Sequence, residues 1–190
     1  AEDGIRDLVR SRGLGAVAGA LEARGIAVTG VIGHSLGAAA IARWLSTGGQ
    51  ADGVVLVAPP SSLIGYSGRF ARLLGLPERV RRGMQERIEQ RFGVAWSALE
   101  LPASVERLDT RALVIHDAKD RDVPIVHYLA LARAWPDARF SGTNGLGHNA
   151  ILRSGSVARD ALDFIRGEVF FAPPPKPDAW SAFPGPAPIL

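Results

Sequence analysis

The amino-acid sequence predicts an α/β fold built on a parallel sheet of about four strands, with helices on both faces. Three observations predict it. Short, continuous apolar runs recur along the chain, as in parallel strands that are buried on both faces. Helix-forming segments separate these runs. Strands that alternate with helices indicate right-handed crossovers, and right-handed crossovers produce a parallel sheet.

The composition limits the class of protein. A chain of 190 residues with 47% apolar residues suits one globular domain with a substantial core. No apolar run approaches the length of about 18 residues that a membrane span needs. Cysteine is absent, which excludes disulfides, thiolate catalysis and cysteine-bound zinc. The net charge is +3 and basic residues are spread among acids, so we expect no nucleic-acid partner. Because no signal-peptide pattern is present, we expect a cytoplasmic protein.

The predicted elements follow one another in a regular order. A helix is predicted over 1–24, with a break near Gly13 and Gly15. The predicted strands are Val28–Ile32, Val54–Ala58, Arg111–His116 and Ala138–Gly142. The other predicted helices are Leu36–Leu45, Val126–Trp135 and Val157–Ile165. Glycine or proline residues close several of these segments, as expected at turns.

The interval 61–108 interrupts this alternation with a string of predicted amphipathic helices. Val80, Met84, Ile88 and Phe92 recur every four residues and so share one helix face. We expect this stripe to face the core, and it also fits the inner face of a cap over an active site. The predicted organisation is a core of residues 1–60 and 109–171, a helical cap insertion at 61–108, and a proline-rich, extended or disordered tail at 172–190.

The sequence Gly33-His34-Ser35-Leu36-Gly37 stands between the first predicted strand and an alanine-rich helix. Strand, sharp turn with serine at the apex, and helix are the parts of a nucleophile elbow. We expect a strained backbone at Ser35 and a need for small residues at Gly33 and Gly37. The alternative is a glycine-flanked turn whose serine only caps the helix.

A reactive serine needs a base, and the base needs an orienting carboxylate. Three candidate acids, Asp117, Asp120 and Asp122, follow the third strand, and His148 follows the fourth in a glycine-rich loop. Among the other histidines, His34 is expected to pack at or line the elbow, His116 to support the acid loop by hydrogen bonding, and His127 to lie on a helix surface. No histidine–carboxylate spacing resembles a zinc or iron site.

These motifs resemble those of the α/β-hydrolase family of serine esterases and lipases. Gly33 to Gly37 matches the family's elbow, His116 to Pro124 matches its acid loop, and Gly147-His148 matches its histidine motif. The match covers about residues 16–167 and assigns the acid to Asp120. Asp117 departs from the pattern, because the family usually has glycine there.

The resemblance implies acyl transfer without a cofactor. Ser35 attacks a carbonyl, His148 removes its proton, Asp120 orients His148, and the backbone N–H of Leu36 stabilises the oxyanion. The expected partner is a small acyl substrate, which Tyr66, Phe70 and Trp96 of the cap are candidates to line. An acyltransferase, thioesterase or haloperoxidase would use the same triad.

The family's sheet has eight strands, and its elbow follows the fifth. The four predicted strands therefore correspond to the C-terminal half of the fold, without the loop that supplies a second oxyanion donor. We expect an upstream segment or a partner chain to complete the sheet. The rival interpretation is a non-catalytic α/β-hydrolase remnant that serves as a binding or interaction module.

Overall fold

The computed structural model describes residues 13–168; the first part of the predicted N-terminal helix and the proline-rich segment lie outside this range. Its sheet has four parallel strands in the order β1–β2–β3–β4. They are β1 Gly30–His34, β2 Gly53–Val57, β3 Arg111–Asp117 and β4 Arg139–Thr143. All four carboxyl ends therefore lie at one edge of the sheet. The predicted strands are confirmed, each shifted by no more than a few residues.

Helices connect the strands and cover both faces. They are α1 Leu14–Glu22, α2 Leu36–Ser46, α3 Leu63–Leu73, α4 Glu78–Phe92, α5 Leu101–Val105, α6 Val126–Ala134, α7 Gly147–Ala150 and α8 Gly155–Arg166. Short 3₁₀ turns occupy Trp96–Leu99 and Ile151–Arg153. None of the helices in this part of the chain combines the length and apolar content that a membrane crossing requires.

The two faces of the sheet build separate parts of the core. On one face, Val54, Leu56 and Val114 pack with α2, α5 and α6. On the other face, Val55 and Leu113 pack with α8. Strand β2 is buried at every position because it has a neighbour on each side and helices above and below. Each buried side chain of this size contributes about 1.5–3 kcal/mol, so the centre of the sheet is its most strongly held part.

The interval between β2 and β3 is helical, as predicted, but its parts differ in burial. Leu101 and Val105 of α5 are buried in the core beside α2. The prediction that the stripe on α4 faces the core is wrong, since α4 has no buried residue. Val80, Met84 and Phe92 of that stripe are exposed. A spacing of four residues places these side chains on one face of the helix, but the tertiary packing determines whether that face contacts the core or solvent.

Candidate active site

Ser35 occupies the turn between β1 and α2 in a strained backbone conformation. Its φ is 55° and its ψ is −124°, a combination that costs a non-glycine residue about 1–3 kcal/mol. The backbone N–H of Ser35 donates to the carbonyl of Val57 at 2.9 Å, which fixes the turn against β2. The Ser35 hydroxyl makes no capping hydrogen bond to α2, so the helix-capping alternative is wrong.

The two glycines of the turn have different reasons to be there. A Cβ at Gly33 would lie 2.5 Å from Cδ1 of Ile41 and 2.8 Å from the carbonyl oxygen of Gly37, so no side chain fits. A Cβ at Gly37 would meet nothing within 4 Å. The expected steric need for a small residue is therefore confirmed at Gly33 and wrong at Gly37, whose surroundings are open in this structure.

The structure brings His148 and Asp120 together. Nδ1 of His148 lies 2.7 Å from Oδ2 of the buried Asp120 carboxylate. The other carboxylate oxygen accepts the backbone N–H groups of Asp122 and Val123, at 2.9 and 2.8 Å. His148 lies in the short helix α7 rather than in an open loop. Both Asp120 oxygens have partners, and the carboxylate can hold the ring with Nδ1 protonated and Nε2 unprotonated.

His34 connects this pair to the turn that carries the serine. Its ring centroid lies 4.5 Å from that of His148, and its Nε2–H donates to the His148 carbonyl at 3.0 Å. Burial lowers the pKa of His34, and the nearby His148 charge lowers it further. A neutral His34 is thus packed against His148, directly before Ser35 in the chain. The expectation that His34 packs at the elbow did not identify His148 as its partner, because sequence spacing carries no information on contacts between distant loops.

Asp117 has a structural role that sequence reasoning did not assign. Its buried carboxylate accepts the Thr143 hydroxyl at 2.7 Å and the backbone N–H groups of Lys119, Leu146 and Gly145 at 2.9, 3.0 and 3.2 Å. Burial acts to raise the pKa of Asp117, but hydrogen bonds led by that from Thr143 outweigh it and lower the pKa to about 2. The carboxylate joins the loop that carries Asp120 to the loop that carries His148. An aspartate replacing the family's usual glycine was the signal available in the sequence.

The two remaining histidines are both buried. Nε2–H of His116 donates to the carbonyl of Val123 at 2.8 Å, which confirms that it supports the acid loop. The prediction of a surface position for His127 is wrong, because its Nδ1 accepts the backbone N–H of Ser61 at 3.2 Å within the fold. Burial lowers the pKa of His127 to about 4, with smaller contributions from His116 and Arg69. The start of the helical interval packs against α6 at His127, and the sequence of α6 alone does not reveal this contact.

The predicted lining residues occupy two places. Tyr66 and Phe70 of α3 line a cavity of about 420 Å³ beside the acid loop. Trp96 is not among the lining residues. Its indole N–H donates to the carbonyl of Gln85 at 3.1 Å and its backbone N–H to the Glu89 carboxylate at 2.7 Å. These contacts fasten the 3₁₀ turn to α4.

One group of side chains has the proximity of a metal site. Ligand atoms of Asp120, Asp122 and His148 lie within 4.8 Å of one another. The Asp120 oxygens already accept hydrogen bonds from Asp122, Val123 and His148. Those bonds account for the arrangement of Asp120 and His148 without a cation.

Comparison with known proteins places the chain in a family. The family model described as serine hydrolase matches residues 9–155, so the chain belongs to the serine hydrolase family. No curated protein sequence matches the chain significantly.

Solved structures of α/β-hydrolases share its fold. An esterase domain from a Rhodothermus marinus protein is 20% identical, with a TM-score of 0.57, over 82% of this chain and 64% of that one. An esterase from a Rhodococcus species is 21% identical, with a TM-score of 0.56, over 82% and 71%. A bromoperoxidase from Bacillus anthracis is 17% identical, with a TM-score of 0.51, over 77% and 70%. At these identities the likeness shows the fold, and the chain has a partial α/β-hydrolase fold that spans roughly two thirds of each neighbour.

Proposed function

We propose that the chain cleaves an ester or related acyl bond through an acyl-enzyme on Ser35. The observation that carries the proposal is the 2.7 Å contact between His148 and Asp120, held through His34 beside the strained turn at Ser35. A serine, a histidine and a buried carboxylate at the carboxyl edge of one parallel sheet are the groups that acyl transfer requires. Membership of the serine hydrolase family supports this assignment.

In the proposed reaction, His148 takes the Ser35 hydroxyl proton while Oγ forms a bond to the substrate carbonyl carbon. Asp120 holds the ring and stabilises the imidazolium that results. The tetrahedral intermediate then expels the leaving group, which receives the proton from His148. In the second half, His148 takes a proton from water as the water attacks the acyl carbon. Cleavage of the acyl–Oγ bond returns the proton to Ser35 and releases the acid.

The oxyanion would accept the backbone N–H of Leu36, the first residue of α2. The N-terminus of that helix carries a partial positive charge that favours an anion. A second donor commonly completes such a site, and losing one donor costs roughly 10²–10³ in turnover. We propose that a further strand, from upstream sequence or a partner chain, pairs with β1 and brings this donor. Within residues 13–168, β1 pairs with β2 alone.

A fluorophosphonate probe tests the proposed nucleophile, since it phosphonylates a serine only when a base activates it. We expect labelling of the wild-type chain, none of Ser35→Ala, and strongly reduced labelling of His148→Ala. Ser97→Ala is a matched control, because Ser97 is exposed on the 3₁₀ turn that is fastened to α4. Labelling that persists in Ser35→Ala, or its absence from a folded wild-type chain, would contradict the proposal.

The second candidate is a non-catalytic binding module. The observation that favours it is the half-exposed β1, whose Ile32 is 48% exposed although it belongs to the strand that precedes the serine. A module of this kind would fold and show no labelling. Unlabelled protein that unfolds cooperatively in urea would therefore select this candidate.

A further inference from the structure

A cavity of about 420 Å³ lies between α3 and the loop that carries Asp120. The cavity is open to solvent: Tyr66, Phe70 and Leu73 give it an apolar wall, of which Phe70 and Leu73 are exposed. Its charged groups, all exposed, are those of Arg69, Arg72, Arg121 and Asp122. The guanidinium of Arg69 donates to the backbone carbonyl of Arg121, so α3 and the acid loop are joined directly at the cavity. The cavity volume falls in the range of about 300–1,000 Å³ that small-molecule sites occupy.

This cavity adjoins the candidate active site. Asp122 lines the cavity, and its carboxylate lies within 4.8 Å of ligand atoms of both Asp120 and His148. Asp122 also donates its backbone N–H to the Asp120 carboxylate at 2.9 Å. The cavity and the His148–Asp120 pair therefore meet at Asp122, which places the cavity beside the atoms that the proposed reaction uses.

The charges of the lining favour an anion. Three arginines and one aspartate line the cavity, which leaves a surplus of two positive charges beside an apolar wall. Arginine binds carboxylates through two parallel hydrogen bonds, and such charge-assisted bonds are stronger than neutral ones. Aromatic and aliphatic side chains beside these groups suit the hydrocarbon body of an amphiphilic acid.

We propose that this cavity binds the carboxylate and adjoining hydrocarbon of an acyl substrate, so that the chain prefers esters whose acyl part ends in a second, anionic carboxylate. The proposal deepens the function proposed above and rests on it for the reaction. Arg72 and Arg121 are the specificity-determining residues, because Arg69 is already engaged with the acid loop. Binding of the acid itself does not require turnover, which allows the two proposals to fail separately.

Direct binding tests the cavity independently of catalysis. The Ser35→Ala chain is titrated with 4-phenylbutyrate and with the neutral 4-phenylbutanamide, and binding is followed by calorimetry. We expect the acid to bind about tenfold more tightly than the amide, and Arg72→Gln and Arg121→Gln each to remove most of this preference. Arg159→Gln, an exposed change on α8, should leave it intact. Equal affinities for acid and amide, or a preference that survives both cavity substitutions, would overturn the proposal.

Hydrolysis rates test whether the cavity makes the chain prefer esters that carry a second carboxylate. The substrates are the mono-p-nitrophenyl ester of suberic acid and the same ester with its second carboxyl methylated. We expect Arg72→Gln to raise KM for the anionic ester about tenfold, with kcat nearly unchanged and with the methylated ester unaffected. Equal KM increases for both esters would contradict a role in charge recognition. If neither ester is hydrolysed, the proposed function is contradicted, and the binding experiment still tests whether the cavity prefers a carboxylate.

Discussion

The two sides of the sheet hold the groups of the candidate site very differently. On the β3–β4 side, Asp120 and His148 are joined by the buried Asp117, which binds both loops through hydrogen bonds. On the β1 side, Ser35 follows a strand that pairs with β2 alone within residues 13–168 and has no buried position. Asp120 and His148 are thus fixed on several sides, whereas the turn with Ser35 is supported mainly through β2, α2 and His34.

This difference shows that one short sheet contains regions of unequal stability. Strand β3 is buried from Ala112 to Asp117, and the loops beyond β3 and β4 are joined by hydrogen bonds to Asp117, which resist local opening; β1, like β4, has no buried position. We therefore expect substitutions on the β3–β4 side to cost both activity and stability. Substitutions on the β1 side away from Ser35 should cost little stability, unless another element covers that strand in the native protein.

The largest expected effect concerns Asp120, which we propose orients His148 as the base. Asp120→Asn should reduce kcat for p-nitrophenyl acetate about 10³–10⁴-fold, because the amide favours the wrong tautomer of His148. Asp109→Asn, an exposed change before β3, is the matched control and should keep full turnover. Activity that survives Asp120→Asn in a folded chain would mean that another carboxylate orients the base.

The next effect concerns the carboxylate that joins the two loops. Asp117→Asn should lower the free energy of unfolding by about 2–3 kcal/mol at neutral pH. Its amide NH₂ group is a donor, and it would face N–H and O–H groups whose hydrogen bonds the carboxylate now accepts. A folded pKa of about 2, below the unfolded value of 3.8, stabilises the fold above pH 3.8, and this contribution is lost as the pH falls towards 2. Urea unfolding between pH 2 and pH 5 should therefore show a smaller pH dependence in Asp117→Asn. An unchanged slope would assign the acid sensitivity to other groups.

A pair of neighbours in register compares the two regions directly. Ile32 of β1 is paired with Val55 of β2, and Ile32 is 48% exposed whereas Val55 is 0% exposed. Val55→Ala should cost about 2 kcal/mol of unfolding free energy, because it leaves a cavity in the core. Ile32→Ala should cost less than about 1 kcal/mol although it removes more atoms. An Ile32→Ala loss as large as that of Val55→Ala would show that an element outside residues 13–168 covers β1.

A further effect is a pH dependence at the buried His127 of α6. Burial lowers the pKa of His127 to about 4 from its ordinary value of 6.5, so the unfolded chain binds a proton that the folded chain does not between these values. Stability should therefore fall by up to about 2 kcal/mol from pH 7 to pH 5. His127→Asn, which keeps an acceptor for Ser61, should flatten this part of the curve. An unchanged slope would indicate that His127 is charged in the fold.

The strands, most of the helices and the order of the candidate residues could be predicted from the sequence. The runs Val54–Ala58 and Ala112–Ile115 are apolar throughout because both faces of those strands are covered, and burial on both faces leaves a continuous signal. The turn at Ser35 is visible because its strained backbone and the close approach at Gly33 restrict the residue types. These constraints act between residues that are close in the chain, so they restrict the residue types at neighbouring positions of the sequence.

Contacts between distant segments could not be predicted. The stripe on α4 has the spacing of a core-facing helix but contains no buried residue, whereas His127, a polar residue on a helix, is buried. Likewise, only the parallel alignment of β3 and β4 brings Asp117 to Thr143 and Leu146. The sequence by itself determined the alternating fold, the strained serine turn and the order serine, aspartate, histidine. The tertiary structure decided which carboxylate holds His148, which one holds the loops, and which apolar faces stay exposed, because these depend on how strands and helices pack after the chain has turned back on itself.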